Sequence, residues 1–368
     1  MTVHHLGFLI PGTYAAADPS AGLDAALAMF EHGEALGYDS AWVRQRHLES
    51  SVSSATTLLA AASQRTRRIE LGAAVIQMGY ENPFRLAEDL ASVDALSRGR
   101  LQVGLSAGAP PFGALLGARL FDGDPAAIDF SHARVLRLRD NLRSEPLGDE
   151  NTFVESAGGR QRPRLQPLAP GLVDRLWVGA GSPRSAEWAA REGFDLLLGN
   201  VVSGEGEVDF HAAQLKHLAL YRAHWTSVRR PRVALGRVIV PTDSADAATR
   251  RRYQDFAASR IDRTRTPQGP RQTLFPLDLV GRSDEIVDKL LSDPVLAQVD
   301  ELRLELPYNF APEDYAQILA DTITLIAPAL GWTGSLPPTG RARTAPDPTQ
   351  ARAPEPSRPT LHPALPNA

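Results

Sequence analysis

The sequence predicts an α/β chain folded as a single (β/α)8 barrel, a TIM barrel with insertions. Three observations lead there. Short apolar runs recur along the chain, and stretches with helical spacing separate them. Gly and Pro punctuate the joins. The strand–helix alternation repeats eight times over about 330 residues. Repeated units of this kind imply a parallel sheet with helices outside, and eight of them in one domain point to a closed barrel. A doubly wound open sheet would have fewer strands and an early Gly-rich phosphate turn. The stretch "FLIPGTY" matches that turn poorly.

The elements follow in order. His5 to Ile10, "HLGFLI", is an apolar run stopped by Pro11-Gly12 and reads as a buried strand. Gly22 to Leu36 has helical spacing at Leu23, Leu27, Phe30 and Leu36, with Gly37 at the C-terminal cap. "AWV" (Ala41 to Val43) is the second strand, and Ser54 to Thr66 the next helix. Ile69 to Ile76 is a strand, Pro83 to Leu96 a helix with Pro at its start, and Arg100 to Leu105 a strand. The pattern resumes at Leu176 to Ala180, followed by the helix in "SPRSAEWAAREG". Asp195 to Gly199 is a strand and Phe210 to Val228 a helix. Val233 to Val240 is a strand, with helices at Asp246 to Arg260 and Ser283 to Leu291. Leu302 to Leu306 is the last strand and Pro312 to Ala327 the last helix.

Three long segments interrupt the alternation: Ala107 to Asp129, Ser144 to Arg175 and Arg263 to Leu279. Loops of that length are functional lids or carry small elements of their own. The barrel domain is expected over 1–334. Nine of the 29 prolines fall in 335–368, with almost no large apolar residues, so that tail is expected to be disordered.

Composition narrows the function. The net charge is −4, so no basic face for a nucleic acid is expected. The absence of Cys excludes disulfides, thiol nucleophiles and thiolate metal sites. No apolar run of about 18 residues is present, and no membrane span is expected. The N-terminus "MTVHHLGFLIPG" lacks the basic start of a signal peptide, which suggests a cytoplasmic protein. His4 and His5 are adjacent in a strand and would face opposite ways, so no metal pair is expected. Nothing has the spacing of a nucleophile elbow. An organic cofactor is then expected to carry the chemistry, and a flavin would suit it.

Barrel enzymes place their sites at the C-terminal ends of the strands. There the second strand empties into "RQRHLE", Arg44 to Glu49, in place of ordinary turn residues. The third strand ends in Val75, Ile76 and Gln77, and the fourth runs into Ser106. Ala74, Val75, Gln77 and Ser106 are therefore cofactor-facing candidates. The turn "GAGSPRS" puts Gly181, Ser182 and Ser185 before a helix, where backbone N–H groups can cradle a phosphate. A plain Ser182 N-cap explains the same residues.

Three stretches, "GYDSAWVRQRH", "RIELGAAVIQMGYENPFRLAEDLASVDALSRGRLQVGLSAG" and "LWVGAGSPRSAEWAAREGFDLLLGNV", resemble the bacterial luciferase-like, flavin-dependent monooxygenases. The resemblance runs from about residue 3 to about residue 330. It implies a flavin at the barrel mouth, a cis peptide at Ala74–Val75 and a phosphate grip on Gly181, Ser182 and Ser185. An Arg that some members of the family use after the fourth strand falls on Ala107 here. The family's Glu-His-His falls on Gln45-Arg46-His47. Arg46 stays charged and cannot act as a general base, but it could hold an anionic reduced flavin by charge. His47 titrates near neutrality. Arg46 and His47 are thus the catalytic candidates, and light emission is not expected. The implied reaction uses reduced FMN as co-substrate, with O2 and a small organic substrate. A separate NAD(P)H:flavin reductase and a homodimer are also implied. A deazaflavin-dependent dehydrogenase or reductase, or a non-catalytic flavin-binding protein, is the alternative.

Overall fold

Charged residues inside the last strand show how this chain builds its sheet. In "ELRLE", Leu302 and Leu304 join the outer core against the helices, while Glu301, Arg303 and Glu305 are also buried. Alternate residues point to opposite faces of a strand, so the second set fills the lumen of a closed sheet. The computed structural model describes residues 2–334 and shows that closure. The barrel strands are β1 (His5–Ile10), β2 (Ser40–Val43), β3 (Glu70–Gln77), β4 (Leu101–Ser106), β5 (Leu176–Gly179), β6 (Asp195–Leu198), β7 (Val233–Arg237) and β8 (Glu301–Glu305). They are parallel, follow chain order around the barrel, and β8 pairs back onto β1. Each of the eight expected strands is present. The expected tail, 335–368, lies outside the described residues.

Helices α1 (Pro19–Leu36), α2 (Ala55–Arg65), α3 (Pro83–Ser97), α4 (Ala133–Leu142), α5 (Pro183–Arg191), α6 (Phe210–His224), α7 (Ala247–Arg260), α8 (Ser283–Leu291) and α9 (Pro312–Asp321) accompany the strands. Several ends differ from expectation. Helix α1 starts at Pro19, ahead of Gly22, because Asp18 accepts the Ala21 N–H and Pro19 occupies the first turn. Helix α6 stops at His224, short of Val228, where Trp225 turns extended. Strand β7 ends at Arg237. Ile239–Pro241 leaves the barrel and pairs with Leu279–Gly281. Past α9 the chain continues as a π turn, Thr322–Ile326. The insertion after α4 carries a small hairpin, Val154–Ser156 with Gly159–Gln161.

Two tryptophans fill the middle of the lumen. Trp42 on β2 and Trp177 on β5 meet edge to face, centroids 5.7 Å apart, with Leu9, Leu197 and Ala234 around them. Each buried indole N–H is satisfied: Trp42 donates to Ser40 Oγ at 2.9 Å, and Trp177 to Gln102 Oε1 at 2.8 Å. Trp188, on α5, packs instead between His132 and Phe194. Gly72 makes room for the indole of Trp42: a Cβ there would lie 2.1 Å from its ring. Gly72→Ala is expected to destabilise the protein by roughly 1–3 kcal/mol through overpacking, read as a lower urea midpoint.

His217 on α6 is buried, and burial pushes its imidazole down to about 4, helped by the charge of Lys216. Between the ordinary 6.5 and about 4 the unfolded chain binds a proton that the folded chain refuses. Stability therefore falls as pH drops through that window. Urea midpoints measured from pH 7 to 4 should decline for the native protein and decline less for His217→Leu.

Candidate active site

The mouth of the barrel holds a cavity of about 230 Å3. One wall comes from β3, β5 and β6: Ala74, Val75, Gly179, Gly181, Leu197 and Gly199. These are small or aliphatic, so the wall is largely bare backbone and methyl groups. At Gly181 an added Cβ would meet nothing within 4 Å. The Ala74–Val75 bond is cis, as the resemblance implied, and the β3–β4 register shifts between Ala73 and Ile76.

The other wall is charged. Arg44, just past β2, donates to Glu305 Oε2 on β8 at 2.7 Å. The Asn200 backbone N–H donates to Glu305 Oε1 at 3.3 Å, and Arg303 Nη2 lies 4.0 Å from the same oxygen. Burial alone would push the Glu305 carboxyl up. The charges of Arg44 and Arg303 and the two hydrogen bonds outweigh it and hold the group below its ordinary value. Burial pulls Arg303 down to about 10 against the pull of Glu305, so it stays charged at neutral pH. Its guanidinium lies over Trp42, 5.3 Å from the ring centroid. Arg303 Nε and Nη1 and Arg44 Nε are buried without a hydrogen-bond partner among the described residues.

The loop after β2 supplies two outward contacts. Arg46 Nη2 donates to the Tyr308 hydroxyl at 3.0 Å, and both Arg44 and Arg46 lie over the Tyr308 ring. The Tyr308 bond, against the opposing effect of burial, raises the Arg46 pKa. His47 stacks on Tyr80, centroids 3.9 Å apart, and its Nε2 is 3.0 Å from Gln45 Nε2. Burial lowers the His47 pKa from its ordinary value. Gln45 Nε2 also donates to Glu81 Oε1 at 3.0 Å. Burial raises the Glu81 carboxyl, with the Gln45 hydrogen bond opposing it.

Of the residues expected from sequence, Ala74, Val75 and Gly181 line the cavity. Gln77 and Ser106 pair across β3 and β4 at the strand ends. Ser182 caps α5, accepting the Ser185 N–H at 3.2 Å while its hydroxyl donates to Ser185 Oγ at 3.1 Å. Arg46 and His47 sit in the flanking loop, and Arg44 is the β2-loop residue that reaches the cavity.

A profile of the luciferase-like monooxygenases matches residues 4–290. The chain belongs to that family. Within it, 4-hydroxyprotoasukamycin monooxygenase of Streptomyces nodosus subsp. asukaensis is 29% identical over 300 residues, covering 76% of this chain and 79% of that protein. Two solved structures share the luciferase-like fold. One is the oxygenating constituent of 3,6-diketocamphane monooxygenase from Pseudomonas putida, in complex with FMN. Its TM-score is 0.61 at 15% identity, covering 89% of this chain and 99% of that one. The other is an F420-dependent secondary alcohol dehydrogenase in complex with an F420-acetone adduct. Its TM-score is 0.56 at 16% identity, covering 90% and 99%.

The luciferase-like mouth fits a flavin-type cofactor. Its bare wall would admit a flat ring system, and the Arg44 and Arg303 guanidiniums on the other side suit an acceptor-rich ligand. The sequence reading named neither Arg303, Glu305 nor Asn200 as a site residue, and it met Arg44 only as the start of the loop after the second strand. The signal was there: charges at every second position of an otherwise leucine-rich barrel strand must face the lumen.

Glu305→Leu would leave two lumen guanidiniums without their counter-charge. It is expected to cost roughly 3–5 kcal/mol of stability, measured by urea unfolding. Unchanged stability would mean that the network is not felt by the fold.

Proposed function

We propose that this protein is the oxygenating component of a two-component system, using reduced FMN supplied by a separate NAD(P)H:flavin reductase. Its substrates are O2 and a small organic molecule, and it works as a cytoplasmic homodimer. One observation carries the cofactor reading: the mouth opposes a bare Gly/Ala wall to the guanidiniums of Arg44 and Arg303. A fixed positive floor favours a ring that becomes anionic on reduction. A bound reduced flavin would supply the two electrons that put one oxygen atom into the substrate and release the other as water.

The chain's own residues have separable tasks in this reading. Arg44 and Arg303 hold the acceptor edge of the ring, and Glu305 keeps Arg44 aimed. Ala74, Val75 and Gly181 provide the flat seat. Ser182, Ser185 and the first turn of α5 receive the phosphate. Gln77 and Ser106 frame the mouth between β3 and β4. Arg46 holds the loop after β8 through Tyr308, and His47 is the neutral ring beside the mouth. The relative named as a monooxygenase, and the FMN complex of an oxygenating constituent, support the oxygenase assignment.

The fold shared with an F420-dependent dehydrogenase favours a second reading, deazaflavin-dependent hydride transfer. Anaerobic titration with reduced FMN, FMN and the oxidised deazaflavin separates the two. Tighter binding of reduced FMN is expected. A preference for the deazaflavin would move the function to hydride transfer, and rapid reduction of FMN by NAD(P)H with this protein alone would remove the separate reductase. Gly181→Val should weaken FMN binding about tenfold or more, ~1.4 kcal/mol, with the unfolding midpoint unchanged because the added atoms point into open space.

A further inference from the structure

The side chain of Gln45 is buried and makes three contacts that only one amide orientation satisfies. Its Oε1 accepts the backbone N–H of Ala55, the first residue of α2, at 3.0 Å. Its Nε2 lies 3.0 Å from Glu81 Oε1 and 3.0 Å from His47 Nε2. Flipping the amide would set its NH2 against the Ala55 N–H, leaving a buried helix-start donor unpaired. It would also turn the carbonyl oxygen toward the Glu81 carboxyl. An unpaired buried donor is costly, so the flipped form is excluded.

The orientation has a consequence for the imidazole. An amide NH2 carries two protons and no acceptor. One proton goes to Glu81 and the other to His47, so His47 Nε2 must accept. A ring nitrogen that accepts carries no proton, and in a neutral imidazole the other nitrogen then carries it. We infer that Gln45 is a positioning residue that fixes His47 as the neutral, Nδ1-protonated tautomer.

His47 therefore carries its hydrogen-bond donor at Nδ1. It cannot take a proton at Nε2 without setting two donors against each other and losing the Gln45 bond. The ring has little freedom to escape. Tyr80 stacks on its face, and the Tyr80 hydroxyl is bonded to the Pro111 carbonyl. Arg134 of α4 ties down the same turn through the carbonyls of Met78 and Glu81. The contacts on the ring are Gln45 at Nε2 and Tyr80 on its face, with the Glu81 carboxyl beyond the amide. Burial of the ring acts in the same direction, against the imidazolium.

The tautomer stands on these contacts alone. Its use in catalysis rests on the monooxygenase reading above. The test is 15N NMR of the full-length, cofactor-free protein labelled in histidine, with His47→Asn assigning the signals. The expected spectrum has a protonated Nδ1 and an unprotonated Nε2 at pH 7. Gln45→Glu places a carboxylate where the amide donor stood. There His47 should become Nε2-protonated or charged, with its titration midpoint raised by at least about one pH unit, a tenfold change. Gln45→Met, which removes both amide groups, should release the ring to a mixture of tautomers. A native ring protonated at Nε2, or an unchanged tautomer in both variants, would overturn the proposal. Loss of the flavin reading would show up separately, as absent cofactor binding in a native protein whose His47 still gives the expected spectrum.

Discussion

A single carboxylate holds the upper lumen together. Glu305 is nearly inaccessible, yet it takes hydrogen bonds from Arg44 past β2 and from the Asn200 amide past β6, and it sits against Arg303 on its own strand. Room for it is made in the backbone: a Cβ at Gly236 on β7 would lie 2.0 Å from Oε1. Four strand ends are therefore set by one group. Buried ion pairs repay their desolvation poorly when compared with apolar packing. The network is better understood as fixing arrangement, because it aims Arg44 at the cavity while the carboxylate stays ionised.

The mouth built on this constraint has two unlike sides. Opposite the charged floor, the ends of β3 and β5 are stripped to Ala74, Val75, Gly179 and Gly181. Such walls bring backbone close to a ligand, and in this family the ligand is a flavin-type ring. Two polar straps from the loop after β2 frame the opening. One is Arg46 with Tyr308, tying the loop to the segment after β8; the other is His47 with Tyr80, tying it to the turn after β3. The stretch "RQRHLE" is charged because its members serve three different neighbours: Arg44 faces inward, Gln45 is buried against α2, and Arg46 reaches across to Tyr308.

The barrel was legible in the sequence because closure of a parallel sheet leaves a periodic trace. Eight apolar runs alternate with helical spacing, and no tertiary contact is needed to see them. The cis bond at Ala74–Val75 and the glycine at the α5 turn were legible through resemblance. Element ends were less so. Asp18 moved the start of α1, and the departure of Ile239–Pro241 to pair with Leu279–Gly281 shortened β7. Both depend on which partner a local group finds, which spacing along the chain does not specify.

The sequence by itself determined the strand count and the family. Only the tertiary structure decided which charges meet. Arg44 and Glu305 are 261 positions apart and Gln45 and Glu81 are 36 apart, yet each pair is in hydrogen-bond contact. Side-chain hydrogen bonds form or fail over a few tenths of an ångström, whereas hydrophobic patterning tolerates shifts of whole residues in an end. The orientation of an amide, the proton on an imidazole and the aim of a guanidinium follow from that shorter range.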